Sequence, residues 1–221
     1  MKSFISEDNI EQAICNRLSQ PEYGWKRIEC SPELEDQDEV ASTGRANASE
    51  CILPEVFLSA LRRLNPQIDD EILKNILQDF RKDYSGTDMV ATNYKFYNQI
   101  RNGIKVKTRN QHREDFDIVK LIDFDHPERN DFHCVNQMWI KGHFRYRRPD
   151  VLLFVNGLPV VFIELKNSTV KIEESYNKNL VSYRKDIPNI FAMNQICVLS
   201  NGLQTKIGAW NAGYEFFFEW T

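Results

Sequence analysis

The apolar positions of the chain change rhythm near residue 104. Before it they return every three or four residues, the period of an amphipathic helix. Ile10, Ile14 and Leu18 share one face of a helix expected from about Asp8 to Leu18, with Asp8 and Glu11 fitting a capping box. "PEVFLSALRRLN" aligns Phe57, Leu58, Leu61 and Leu64 behind Pro54, a residue suited to a first helical turn. "DDEILKNILQDF" does the same with Ile72, Leu73, Ile76, Leu77 and Phe80, and a shorter helix, "NYKFYNQIRNG", is expected to stop at Gly103. Between the first and second helices, "PEYGWKRIECSPELEDQDEVASTGRANASE" reads as irregular or partly extended, with a mobile loop near Gly44.

From Ile104 onward the runs are short, β-branched or aromatic, and bounded by turn residues. "IKVKT", "DFDIVKLIDF", "FHCVNQMWI", "PDVLLFV", "PVVFIELK", "QICVLS" and "TKIGAW" are expected strands. One helix, from about Ile172 to Arg184, interrupts them. Helices first, then strands with one helix among them, suit an α/β fold with a mixed central sheet flanked by helices and an N-terminal helical elaboration. Residues 1–221 are expected to form one domain, mainly helical over 1–103 and sheet-rich over 104–221. The apolar finish "EFFFEWT" reads as seeking a partner surface, as in an N-terminal piece of something longer.

Composition is that of a globular chain, 42% hydrophobic and 27% charged. No apolar run approaches the ~18 residues of a membrane helix, and "MKSFISEDNI" lacks a signal peptide's apolar core. A cytoplasmic location is therefore expected, with no membrane partner. The five cysteines are scattered and never spaced as CxxC, and the four histidines form no ligand pattern, so reduced structural cysteines are expected. A net charge of −4 does not advertise a nucleic-acid binder, yet the charge is uneven. "SPELEDQDEV" holds five acids and no base, whereas "KGHFRYRR" holds four bases and no acid and leads directly to Asp150. A solvated basic loop is the default reading of such a run. With a DNA partner, Arg145, Arg147 and Arg148 would be candidates for backbone contacts, and Lys178, Arg184 and Lys185 could extend that surface, though helix-surface lysines are usually only solvated.

"RPDVLLFVNGLPVVFIELKN" concentrates the candidate chemistry. Its strands look buried on both faces, yet Asp150 stands at one end and Glu164 and Lys166 at the other. Glu164 and Lys166, two apart on a strand, point to one face. Asp150 faces Glu164 only if positions 150 and 164 pair, which requires an odd loop or a bulge; a plain two-residue Asn156-Gly157 turn would send Asp150 to the opposite face. If they pair, two carboxylates and the Leu165 carbonyl form an oxygen site of the kind Mg²⁺ prefers. Mn²⁺ would be its substitute, and Lys166 would orient water and stabilise anionic oxygen. A salt-bridged strand edge is the other reading of the same residues.

Pro-Asp, thirteen residues, then Glu-x-Lys resembles the PD-(D/E)xK motif of restriction-type nucleases. The stretch "LIDFDHPERNDFHCVNQMWIKGHFRYRRPDVLLFVNGLPVVFIELKN" resembles the N-terminal nuclease region of the R subunit of type I restriction-modification enzymes. The likeness runs from about Asn93 to Gly208 and includes "VLSNG". It implies a restriction-endonuclease-like fold, Asp150 and Glu164 as metal-binding acids, and Lys166 as the catalytic lysine. It also implies a QxxxY element, which Tyr183 matches but Asn179 alters, since Gln is expected there, and an accessory acid on an early helix, which Glu11 could supply. The implied activity is Mg²⁺-dependent cleavage of double-stranded DNA after ATP-driven translocation, in a complex with methyltransferase and specificity subunits. No GxxxxGK[ST] loop is present, so ATP would serve only a motor outside this chain. A catalytically silent nuclease-fold module for DNA binding or docking is the alternative, and a stand-alone repair nuclease a second.

Overall fold

A computed structural model describes residues 4–30, 40, 42–110 and 113–220. The acidic run at 31–39 lies outside them, and Gly44 sits in a turn with φ +68°. Helix α1 (Glu7–Leu18) is followed by strand β1 (Lys26–Glu29), then α2 (Pro54–Leu64), α3 (Asp70–Phe80) and α4 (Met89–Asn102). Strands β2 (Ile104–Asn110) and β3 (Arg113–Val119) form a separate antiparallel pair. Next come β4 (Phe132–Asn136), a small β5 (Ile140–Lys141) and β6 (Tyr146–Arg147) hairpin, β7 (Val151–Val155) and β8 (Leu158–Leu165). Helix α5 (172–186), then β9 (Ile196–Ser200), β10 (Thr205–Gly208) and β11 (Phe218–Glu219) complete the chain.

The central sheet is mixed and seven-stranded, in the order β1-β4-β7-β8-β9-β10-β11. β1 lies parallel to β4 and β9 parallel to β8, while the other neighbours are antiparallel. Both faces are covered, which explains the uninterrupted apolar runs of β7 and β8. On one face Ile10 and Cys15 of α1 pack with Cys134, Val151, Leu153, Ile163 and Leu165. On the other, Leu180 and Tyr183 of α5 join Val135, Leu152, Phe154, Phe162 and Leu199. Helices α2–α4 build a further core around Phe57, Phe80 and Phe96, closed by Leu158 and Val160 at the turn end of β7–β8. All five cysteines are buried thiols, as expected for structural cysteines.

Several expectations are adjusted. The fourth helix, expected to be a shorter one, runs for 14 residues from Met89, where Asp88 caps it by accepting from the Val90 and Ala91 amides. Helix α1 is capped by Ser6, which accepts from Asn9 N, so Asp8 falls inside the first turn and no capping box forms. "LIDF" does not continue β3. The Asn65 side chain bonds both N and O of Lys120 at 2.7 and 2.9 Å, and Asn130 takes the N and O of Asp123, so the chain turns away from the hairpin there.

The β7–β8 connection meets the geometric demand raised by the sequence. Asn156 (φ +50°) and Gly157 (φ +80°) form the two-residue turn that pairs Val155 with Leu158. The register then shifts between Leu153 and Phe154: Phe154 faces Pro159, but Leu153 faces Val161, leaving Val160 as the extra residue of a bulge. Beyond the bulge Val151 faces Ile163, and with Leu165 N donating to Asp150 Oδ2 at 2.7 Å, Asp150, the residue just before β7, comes beside Glu164. Gly157 also admits the start of α2, since a Cβ there would stand 2.6 Å from Leu53 O and 2.8 Å from Phe57 N. Gly157→Ala is expected to lower stability by at least about 2 kcal/mol, from left-handed strain plus backbone overlap. Thermal denaturation should show a drop of roughly 4–8 °C.

Candidate active site

At the end of β7–β8 remote from the turn, the two acids and the lysine come together. Glu164 is only 1% exposed; its Oε1 accepts from the Asn179 amide and lies 3.5 Å from Lys166 Nζ. Its Oε2 is buried with no hydrogen-bond partner. Burial, and then the neighbouring Asp150 carboxylate, push the Glu164 carboxyl up to about 8, although Lys166 and Asn179 act in the opposite direction. Asp150 is pushed up to about 6, again chiefly by burial, against the restraining amide of Leu165, which donates to Oδ2 at 2.7 Å. Its own carbonyl accepts from Gln137 N at 2.9 Å, tying Asp150 to the end of β4.

Lys166 Nζ donates to Leu165 O at 2.8 Å and lies 3.6 Å from Glu7 Oε2. The carbonyl named as a possible metal ligand is therefore engaged by the lysine here. Helix α5 supplies the opposite wall. It contains a π turn (Ser175–Leu180) that includes Asn179, so the side chain one methylene shorter than Gln still reaches Glu164. Tyr183, one turn further, packs edge-on against Phe162 and donates its hydroxyl to Arg148 O at 3.3 Å. Burial holds that hydroxyl well above the usual phenol range.

A cleft of about 430 Å³ opens beside Asp150, lined by Glu7, Glu11, Asn136, Gln137 and Arg148 among others. Glu11 is buried on α1 and accepts from Asn136 Nδ2 at 2.9 Å and from the Gln137 amide. Its place is thus explained by these two amides rather than by a cap. Glu7 was missed in the sequence, where an acid in a first helical turn looks like dipole compensation.

The basic candidates divide. Arg145 is exposed, and Lys178 is exposed but pairs with Glu174. Arg147 bonds Asp186 (2.7 Å from Nε) and Arg148 lies 5.1 Å over the Trp139 ring. Arg184 donates to Tyr176 Oη and Ala212 O, stapling α5 to the C-terminal segment. Arg147 and Arg184 therefore have structural work in this arrangement, and Lys185 lines a groove with Arg145.

Comparison with known proteins places this geometry in context. A family described as "Type I restriction enzyme R protein N terminus" matches residues 4–216. The type I restriction enzyme HindI endonuclease subunit of Haemophilus influenzae is 29% identical over 221 residues, covering 98% of this chain. A putative type I restriction enzyme MjaIXP endonuclease subunit of Methanocaldococcus jannaschii is likewise 29% identical over 223 residues and 98% of this chain. The chain spans about a fifth of the length of these two curated relatives, 20% in each case. A match over nearly all of its described residues shows that the chain belongs to the family of type I restriction enzyme R protein N termini.

Proposed function

We propose that this chain is the Mg²⁺-dependent endonuclease domain of a type I restriction enzyme R subunit, with a PD-(D/E)xK site on a restriction-endonuclease-like sheet. The observation that carries the reading is the bulge-set register that brings Asp150, one step beyond the Val151–Ile163 pair, beside Glu164, with Lys166 immediately after the strand. The residues fit a hard divalent cation. All the donors are oxygens, Glu164 Oε2 is buried without a partner, and burial pushes both carboxyls upward, a cost that a cation would relieve. Two carboxylates and a carbonyl would leave further positions for water and phosphate, as Mg²⁺ favours over a cage made of protein alone. When bound, the ion supplies Lewis-acid activation of a phosphodiester and a more acidic water.

The chain's own groups then divide the work. Asp150 and Glu164 hold the cation, and Asn179 fixes the Glu164 rotamer. Lys166 exchanges its contact with Leu165 O for the anionic oxygen of the substrate. Tyr183 fastens the Arg148 carbonyl beside Asp150, holding the strand end in place. Double-stranded DNA is the substrate. Methyltransferase and specificity subunits are the partners, and an ATP-driven motor outside this chain moves the DNA, in the cytoplasm.

Titration calorimetry with Mn²⁺, on this chain and on Glu164→Ala, tests the reading. Binding by the parent and none by the variant is expected. Equal binding by both would remove Glu164 from the metal site and with it the proposed chemistry.

A further inference from the structure

The β5–β6 hairpin is too short to add to the core, yet its root is firmly held. Ile140 is buried, and Lys141 N donates to Ala48 O at 2.9 Å. Arg147 is bonded to Asp186 at the end of α5. Gly142 lies so close to α5 that a Cβ there would stand 1.7 Å from Asp186 O. At the tip, a 2.8 Å bond from Gly142 N to Arg145 O closes a turn on His143 and Phe144. His143 Nε2 is drawn back to Ser85 Oγ at 2.9 Å, whereas Phe144 is 97% exposed, the highest value of any large apolar side chain described.

A single exposed ring is ordinary on a protein surface. This one differs in three ways. It caps an anchored hairpin, it shares a groove with Arg145 and Lys185, and the chain runs from it through β6 to Asp150, three residues beyond that strand. A protein-binding hot spot is normally ringed by further apolar surface. Here the exposed rings are Phe144 and, less so, Tyr146, and the groove beside them holds Arg145 and Lys185, with Asp186 taken up by Arg147. That suits a partner that is anionic outside and stacked inside.

Building on the nuclease reading, we infer that Phe144 is a DNA wedge. It enters a base step next to the phosphodiester offered to Asp150 and Glu164, while Arg145 takes an adjoining phosphate. Apolar wedges on DNA-binding proteins unstack and kink the duplex in this way. The kink would turn the scissile phosphate toward a site recessed at the strand ends, without reading sequence.

Fluorescence anisotropy of this chain tests the inference, with Ca²⁺ replacing Mg²⁺ and two duplexes of equal length, one fully paired and one with a central mismatch. Because a mismatched step is already partly unstacked, the parent is expected to bind it roughly tenfold more tightly. Phe144→Ala should bind both alike, and Phe144→Trp should restore the difference. Arg145→Ala should weaken both together and flatten the salt dependence while retaining the preference. A parent without preference, or Phe144→Ala retaining one, overturns the wedge alone. Failure of the parent to bind either duplex overturns the wedge, whereas the nuclease reading stands or falls with Mn²⁺ binding through Glu164. Unchanged DNA binding by Phe144→Ala with weakened assembly into the restriction complex would make the tip a protein contact and overturn the wedge.

Discussion

Asp150→Asn in an assembled type I enzyme carrying this chain is expected to reduce DNA cleavage by about 10³-fold or more, the scale on which loss of charge stabilisation at a reacting centre acts. Asn is the informative replacement. Its side-chain oxygen can still accept from Leu165 N, which donates to Asp150 Oδ2 in the parent, and its volume is unchanged, so the strand end should keep its form. Only the negative charge is lost. Asp150→Ala removes the acceptor as well and should be inactive and also less stable. Cleavage of supercoiled DNA by the reconstituted complex, with thermal denaturation of each variant alongside, separates the two effects. An Asp150→Asn enzyme that cuts at the parental rate would leave the catalytically silent module as the reading of this fold.

Glu164→Gln is expected to stabilise the metal-free chain at pH 8 while abolishing cleavage. The Glu164 carboxyl lies near 4.5 as an ordinary side chain and is pushed up to about 8 in the fold. Between those values the folded chain holds a proton that the unfolded chain has released, so raising the pH favours unfolding. The penalty is absent below about pH 4.5, grows through the window and is complete above pH 8. Asp150, with its carboxyl pushed up to about 6, adds a smaller share at the lower end, and the two titrate as a pair. Gln removes the Glu164 share, so the variant's advantage should be nil near pH 4.5 and at most about 4 kcal/mol at pH 8, read as a higher Tm for the variant. Added Mg²⁺ should reverse the order by stabilising the parent alone, more strongly at pH 8 than at pH 6, because protons compete for the same oxygens. Parallel stability curves for parent and variant across pH 4.5–8 would remove the buried, uncompensated carboxylate from the account.

Most of the elements were legible along the chain because their causes are local. Pro54 with the Phe57, Leu61 and Leu64 spacing specifies α2. Asn156-Gly157 between two apolar runs specifies a hairpin, and the acids at its ends announce a site, since such groups are seldom buried unless paired or coordinating a metal. The sequence by itself therefore determined the α/β character, the hairpin and the set of candidate acids. It left undecided whether Asp150 and Glu164 meet. That rests on the bulge at Val160, whose carbonyl is taken by Gln195 N at 2.8 Å and whose side chain packs into the core of α2–α4. The π turn that holds Asn179 against Glu164, the two amides that engage Glu11, and the ion pair that anchors Arg147 have the same origin. Each joins residues far apart in the chain, so tertiary packing, rather than local propensity, decided which way those side chains point.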